Sequence, residues 1–389
     1  MGRAYAVVGA GRQGTAAAYD MARFGDADEV VLADVDLARA RKAAARVNRL
    51  VSHRVARGVT ADVRREASVR RVLRDADVAL SAVPYFFNLG LAKLALETKT
   101  SFVDLGGNTD IVRKEQALDR QARKAGVAIV PDCGMGPGLN VTLSVRSMEL
   151  LDVPERVVVY DGGLPQDPKP PWNYELTFNI EGLTNEYHGT APAIRDGRVV
   201  RLPGFSEYEV VDVPGVGRLE AFVVASSLST APWSFLGILK SYEGKILRYP
   251  GHFAQMTAFR DLGLFELEPV VVDGRPVVPR HVFHALYESQ VTPKQIRDVC
   301  IERAVARGTK DGRPAEAVVE LVDRADEATG FTSMERLTGW HAAIVAEMIA
   351  HGRIPPGAHP VELGVPAGPF VEEGRRRGLR ITEEVRPTA

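Results

Sequence analysis

The stretch Ala4-Tyr5-Ala6-Val7-Val8-Gly9-Ala10-Gly11-Arg12-Gln13-Gly14 is followed, twenty residues after Gly14, by Asp34. An apolar run leads into three glycines at the spacing that ends a strand, turns, and starts a helix. Gly9 permits the tight turn. Gly11 lets the backbone approach a pyrophosphate with no Cβ in the way, and Gly14 lets the helix pack on the strand. The free N–H groups of the helix start then face the phosphates. Asp34 ends a second apolar run, Val30-Val31-Leu32-Ala33. A carboxylate there accepts from a ribose 2′-OH and repels a 2′-phosphate. The stretch therefore predicts a dinucleotide site that takes NAD, held by Gly9, Gly11, Arg12, Gln13, Gly14 and Asp34. Arg12 is read as facing the pyrophosphate or solvent.

Working outward, apolar runs at 30–33, 77–83, 101–104 and 127–131 alternate with helical patterns over 14–24, 36–47 and 89–97. Repeated βα units imply an α/β fold with a doubly wound parallel sheet, its ligand at the C-terminal ends of the strands. Those ends carry Ser81-Ala82-Val83-Pro84-Tyr85, Asp104-Leu105-Gly106-Gly107-Asn108 and Asp132-Cys133-Gly134-Met135-Gly136-Pro137-Gly138. Ser81, Val83, Pro84, Gly106 and Gly107 are the expected contacts of the cofactor's nicotinamide end. After about residue 140 the pattern changes. A helix over 139–151 leads into short β-like runs at 156–160, 174–181, 198–202, 208–213 and 219–224, which read as a mixed, mainly antiparallel sheet. Helices are expected at 251–262, 292–306 and 337–351. A hairpin around Lys310-Asp311-Gly312 competes with the second of these. Arg375-Arg376-Arg377 reads as a solvated helix end.

A chain of 389 residues suggests two domains. The net charge of −1 leaves no electrostatic footprint for nucleic acid. No apolar run approaches the ~18 residues of a membrane span. Cys133 and Cys300 form no CxxC pair, which fits a reducing cytoplasm. The N-terminus enters a strand directly, so no secretory leader is expected. His281 and His284 lack a third ligand at metal spacing, so no metal is expected.

Seven segments together resemble the saccharopine dehydrogenase family, and more closely its lysine 6-dehydrogenase branch. They are the glycine stretch, the strand exits at Ser81 and Asp132, Gly162-Gly163-Leu164-Pro165, Ile180-Glu181-Gly182, Leu247-Arg248-Tyr249-Pro250-Gly251 and Thr338-Gly339-Trp340. The resemblance implies a Rossmann domain over 1–132 and 333–389, split by an inserted α+β substrate and dimerisation domain over 133–332. It implies a homodimer or higher homo-oligomer, NAD as cofactor and a small amino acid as substrate. It also implies hydride transfer at a carbon bearing nitrogen. For the lysine branch the terminal amine of L-lysine becomes allysine (2-aminoadipate 6-semialdehyde, cyclising to piperideine carboxylate) and ammonia leaves. A saccharopine reductase, a carboxyalkyl-polyamine dehydrogenase and a non-catalytic NAD-binding regulator are the alternatives.

Glu181, read at a strand end, stands where saccharopine reductases align an arginine. An acid there repels a substrate carboxylate and attracts an ammonium group. Arg248 offers a fork for an α-carboxylate beside Tyr249 and a helix start. Tyr85 is read either as a proton relay or as packing under the cofactor. Asp161 replaces the cysteine that saccharopine reductases tend to have there; it binds the amine or caps the turn. Tyr85, Asp132, Glu181 and His252 are the candidate bases for deprotonating the amine and activating water. Cys133 reads as a packing residue.

Overall fold

The computed structural model describes residues 2–225 and 227–388. Arg3–Val8 is an interior strand of a seven-stranded parallel sheet. Alternate residues of this strand fill two cores, Tyr5 and Val7 on one face and Ala6 and Val8 on the other. Helices cover both faces, which is why the strand reads as an unbroken apolar run. Across the sheet the order is Gly357–Ala358, Ala128–Val130, Ser101–Asp104, Val78–Ser81, Arg3–Val8, Ala27–Asp34 and Ala56–Thr60. The winding reverses between Arg3–Val8 and Val78–Ser81, opening a crevice at their C-terminal ends. This is the Rossmann-type α/β sheet that the alternation implied.

The second sheet has nine strands. Its main path runs Glu209–Val213, Gly217–Val223, Ser241–Arg248, Val153–Pro165, Asp298–Lys310, Arg313–Arg324 and Ile381–Pro387. All these pairings are antiparallel except that of Ser241–Arg248 with Val153–Pro165. The hairpin reading prevails over a helix at 292–306. Asp311 and Gly312 both take positive φ, 50° and 71°, the turn that matches strand twist in a two-residue hairpin. Residues 174–181 are not a strand. Asn179 instead accepts from the Glu181 N–H and caps a short helix, Ile180–Glu186. The apolar residues of this run, Tyr174 and Leu176, bury themselves in an aromatic cluster with Tyr187, Phe265 and Phe283.

The late helix Ser333–Ala350 starts at a capping box made by Thr332 and Glu335. It packs on helix Arg12–Phe24 so closely that a Cβ on Gly339 would lie 2.8 Å from the Ala17 nitrogen. The tail thus returns to the parallel sheet through this helix and Gly357–Ala358. Its end departs from the expected division: Ile381–Pro387 pairs with Arg313–Arg324 and belongs to the second sheet. Arg377 is not on a solvated helix end. Its side chain is fully enclosed and ion-pairs with Asp20, Glu347 and Glu373. Both cysteines are free and buried. No described helix is long and apolar enough to cross a membrane.

Candidate functional site

The glycine turn has the geometry its spacing predicts. Gly9 sits at φ 109°, and a Cβ there would lie 2.5 Å from the Ala82 carbonyl oxygen. A Cβ on Gly14 would stand 2.0 Å from the Gly9 carbonyl oxygen, so helix and strand need glycine to meet. A Cβ on Gly11 would meet nothing within 4 Å. That open space belongs to a cavity of about 480 Å³ lined by Gly9, Gly11, Asp34, Arg39, Val83 and Pro84, among others. Asp34 is aimed there by two backbone donors, the N–H groups of Ala10 and Asp36, each at 3.0 Å. These residues fit a dinucleotide, with the pyrophosphate over Gly11 and a ribose at Asp34. The Asp34 carboxylate also lies 3.6 Å from the Arg39 guanidinium. Asp34→Gly is expected to raise the kcat/KM ratio for NADP over NAD by about tenfold or more. Like-charge repulsion at the 2′ position disappears and Arg39 is freed for a phosphate. An unchanged ratio would mean that Asp34 does not read the ribose.

The crevice continues into a cleft between the two sheets, about 700 Å³, which adjoins a further lobe of about 530 Å³. Tyr85, Gly136, Asp161, Asn179, Glu186 and Ile246 wall both. Asp161 projects from strand Val153–Pro165, with Oδ2 3.2 Å from the Asn140 amide, which donates to it. A side chain at Gly136 would collide with this carboxylate, the Cβ falling 2.2 Å from Oδ2. Arg248 ends strand Ser241–Arg248 on the same face and is almost wholly buried. It donates to the Tyr187 hydroxyl at 2.9 Å and lies 3.4 Å from Glu186. Burial pushes Asp161 up to about 6 against the pull of Arg248. Burial also pushes Glu186 up to about 7, against Arg248 and aided by Asp161.

Several expected site residues are brought here. Arg12, Gln13, Val83, Pro84, Tyr85, Gly106, Asp161 and Arg248 line the cleft, and Gly107 and Glu181 line the lobe. Arg12 faces neither pyrophosphate nor open solvent alone. Its guanidinium crosses to the second sheet's side, donating to the Thr177 carbonyl at 2.5 Å and lying 3.7 Å from Glu335. Glu181 is on the first helical turn rather than a strand end. Its charge is engaged by Arg280 at 3.2 Å, with His284 at 3.7 Å.

Others are placed elsewhere. The Ser81 hydroxyl is buried and donates to Asn88 at 2.7 Å. Tyr249 leaves the strand toward the opposite face and donates to the Pro165 carbonyl at 3.0 Å. His252 lies behind the cleft wall, its Nε2 2.7 Å from the Tyr187 hydroxyl. Burial, then Arg248, hold it well below the ordinary imidazole value. Asp132 is interior. Its Oδ2 accepts from Ser229 at 2.5 Å, and burial, then Asp104, raise it to about 8. It stands behind Gly106, where a Cβ would fall 2.2 Å from Oδ1. Glu186 escaped the sequence reading. The Asn179 cap is the signal that could have found it. A helix begun there puts Ile180, Leu183 and Tyr187 inward, with Glu186 beside them.

Comparison with known proteins agrees with this architecture. Residues 5–130 match the family model described as the saccharopine dehydrogenase NADP binding domain, and residues 134–379 match the saccharopine dehydrogenase C-terminal domain. Saccharopine dehydrogenase [NADP(+), L-glutamate-forming] of Saccharomyces cerevisiae is 24% identical over 271 residues, covering 67% of this chain and 60% of that protein. The match therefore spans under two thirds of that relative's length. Carboxynorspermidine synthase of Vibrio cholerae is 23% identical over 275 residues, covering 67% of this chain and 64% of that protein. The solved apo saccharopine dehydrogenase (L-Glu forming) of Saccharomyces cerevisiae superposes with a TM-score of 0.80 at 19% identity. It covers 99% of this chain and 100% of that one.

Proposed function

We propose that this chain, which belongs to the saccharopine dehydrogenase family, is an NAD-dependent dehydrogenase that oxidises the terminal amine of L-lysine to allysine and releases ammonia. The observation that carries this reading is the charge of the cleft. Its two lobes are walled by Arg12 and Arg248 against Asp161, Glu186 and Glu288, with Glu181 already paired to Arg280. Lysine brings one carboxylate and two ammonium groups, and suits that excess of acid. Saccharopine brings three carboxylates, and most of them would face carboxylates here at a cost in low dielectric. NAD is favoured over NADP by the Asp34 carboxylate, although the family model is named for NADP.

In this reading Arg248 holds the substrate α-carboxylate, its position fixed by Tyr187 and Glu186. Asp161 and Glu186 draw the terminal ammonium toward the crevice. The amine must be neutral before its carbon can give up a hydride. Its ordinary value near 10.4 has to be lowered by transfer of a proton to a nearby base. Asp161, which walls the cleft, is that base. A nicotinamide held beside Val83, Pro84 and Gly106 would supply the hydride acceptor for the carbon bearing the amine. Tyr85, which walls both lobes beside Gly107, orients the water that displaces ammonia.

Lysine, saccharopine, carboxynorspermidine and spermidine offered with NAD form the discriminating panel. NADH formation with lysine alone, with a cyclic imine trapped as product, is expected. Turnover of saccharopine without lysine would overturn the reading in favour of a reductase. Binding of NAD with no turnover across the panel would favour a non-catalytic regulator. The pH dependence gives a separate check. Both acids must be ionised, so kcat/KM is expected to rise with pH through 6–7, following the raised values of Asp161 and Glu186. A limb in the ordinary carboxylate range, near about 4, would show that neither acid acts.

A further inference from the structure

We propose that Glu302 is a positioning residue that stays uncharged in the resting protein and donates a hydrogen bond to Asp161, so that the two carboxyls hold one proton and one negative charge between them. This inference rests on the proposed amine chemistry only for its consequence, not for the pair itself. In the sheet register Glu302 lies directly opposite Asp161 on the neighbouring antiparallel strand, on the same face. The row across that face reads Ile246, Asp161, Glu302, Leu321 and Ile381. Each of these five residues is buried, and Glu302 is fully so. An acid in the middle of an apolar row has one polar neighbour in it, Asp161.

Both oxygens of Glu302 and Oδ1 of Asp161 find no N–H or O–H donor elsewhere among the described residues. Two facing carboxylates in a dry site cannot both ionise, and a shared proton satisfies the orphaned oxygens of each. The charged member is the one nearer the cations and amides. Asp161 accepts from Asn140 and feels Arg248, whereas Glu302 has neither. Burial, then the Asp161 charge, push Glu302 well above the ordinary carboxylate range. The other titratable groups around the pair are Glu186 from the capped helix and the buried Cys300 thiol two residues along the Glu302 strand. From helix Leu139–Glu149 the Asn140 amide reaches Asp161, and the late helix presents Met334 beside Gly163.

The consequence is a base held ready. In the proton-transfer step an N–H bond of the substrate ammonium breaks and an O–H bond forms on Asp161. No electrons move between carbon centres, and the pair passes from one proton to two. The hydrogen bond from Glu302 favours the charged form of Asp161 and so keeps it ionised near neutral pH.

Two measurements test this. The infrared difference spectrum of resting wild type minus E302Q at neutral pH is expected to show the carbonyl stretch of a protonated carboxylic acid, present in wild type and lost in the variant. Its absence would overturn the proposal, whatever the substrate proves to be. The second is the kcat/KM–pH profile with whichever amine of the panel is oxidised. E302L, which fits the apolar row but cannot donate, is expected to move the acidic limb up by about one pH unit. E302Q, which keeps an N–H donor, is expected to hold the limb at its wild-type position. A merely structural Glu302 would lower stability in both variants and leave the limb unmoved. That result, with the infrared band assigned elsewhere, would contradict the pairing while leaving lysine oxidation intact. Failure on lysine with the band present would contradict only the substrate reading.

Discussion

Arg377→Met is expected to cost about 3–5 kcal/mol of folding stability, the usual effect of removing one partner from a buried ion network. The Arg377 guanidinium is fully enclosed, with Nε 2.9 Å from Asp20 and Nη1 2.7 Å from Glu373, and it also contacts Glu347. Asp20 lies on the helix that starts at the glycine turn, and Glu347 on the late helix packed against it. Without the cation, two carboxylates remain buried at that junction. Burial already raises Asp20 to about 7, even with Arg377 opposing the shift. An acid raised in the folded state contributes stability below its unfolded value and loses it as pH rises through the folded value. Without Arg377 that value moves higher still, so the variant should keep losing stability as pH rises through and beyond about 7, and partly recover on acidification. Arg376→Met is the control. Its side chain is half exposed, so removing its ion pairs should cost less than about 1 kcal/mol. Urea unfolding at two pH values measures both. Equal losses for the two variants would show that Arg377 is not the buried clamp.

Arg248→Ala is expected to lower kcat/KM for lysine by about a thousandfold, which corresponds to the 2–5 kcal/mol lost when a buried, hydrogen-bonded charge is truncated. The loss has two sources. In the proposed binding mode the substrate carboxylate loses its partner, and Glu186 is left in the cleft without its cation. Removing a favourable charge pushes that acid further up, so the acidic limb should also move to higher pH. Arg248→Lys is expected to recover less than about tenfold, because an ammonium cannot reproduce the fork that binds Tyr187 and Glu186 together. Wild-type kinetics in a folded Arg248→Ala protein would remove Arg248 from substrate binding.

The glycine turn was legible because its rules are local. The absence of a Cβ at Gly9, Gly11 and Gly14 has consequences within one turn of chain, and Asp34 follows at a fixed offset. The substrate half depends on which side chain a distant element turns inward. Residues 174–181 alternate as a strand does, yet Asn179 caps a helix and gives the cleft to Glu186 while Glu181 pairs with Arg280. Arg375-Arg376-Arg377 reads as a surface charge run, and nothing nearby in sequence announces that Asp20, more than three hundred residues earlier, awaits Arg377. Likewise Asp132 and His252 carry reactive groups, but neighbouring turns direct them to Ser229 and Tyr187 instead of the cleft.

The most direct measurement of the central claim is hydride origin. Lysine deuterated at the carbon bearing the terminal amine is incubated with NAD and the purified protein, and the nicotinamide product is weighed by mass spectrometry. One deuterium per NADH formed is expected, together with one equivalent of ammonia and an aldehyde that cyclises. NADH without deuterium, or no NADH from lysine while saccharopine is oxidised, would contradict it.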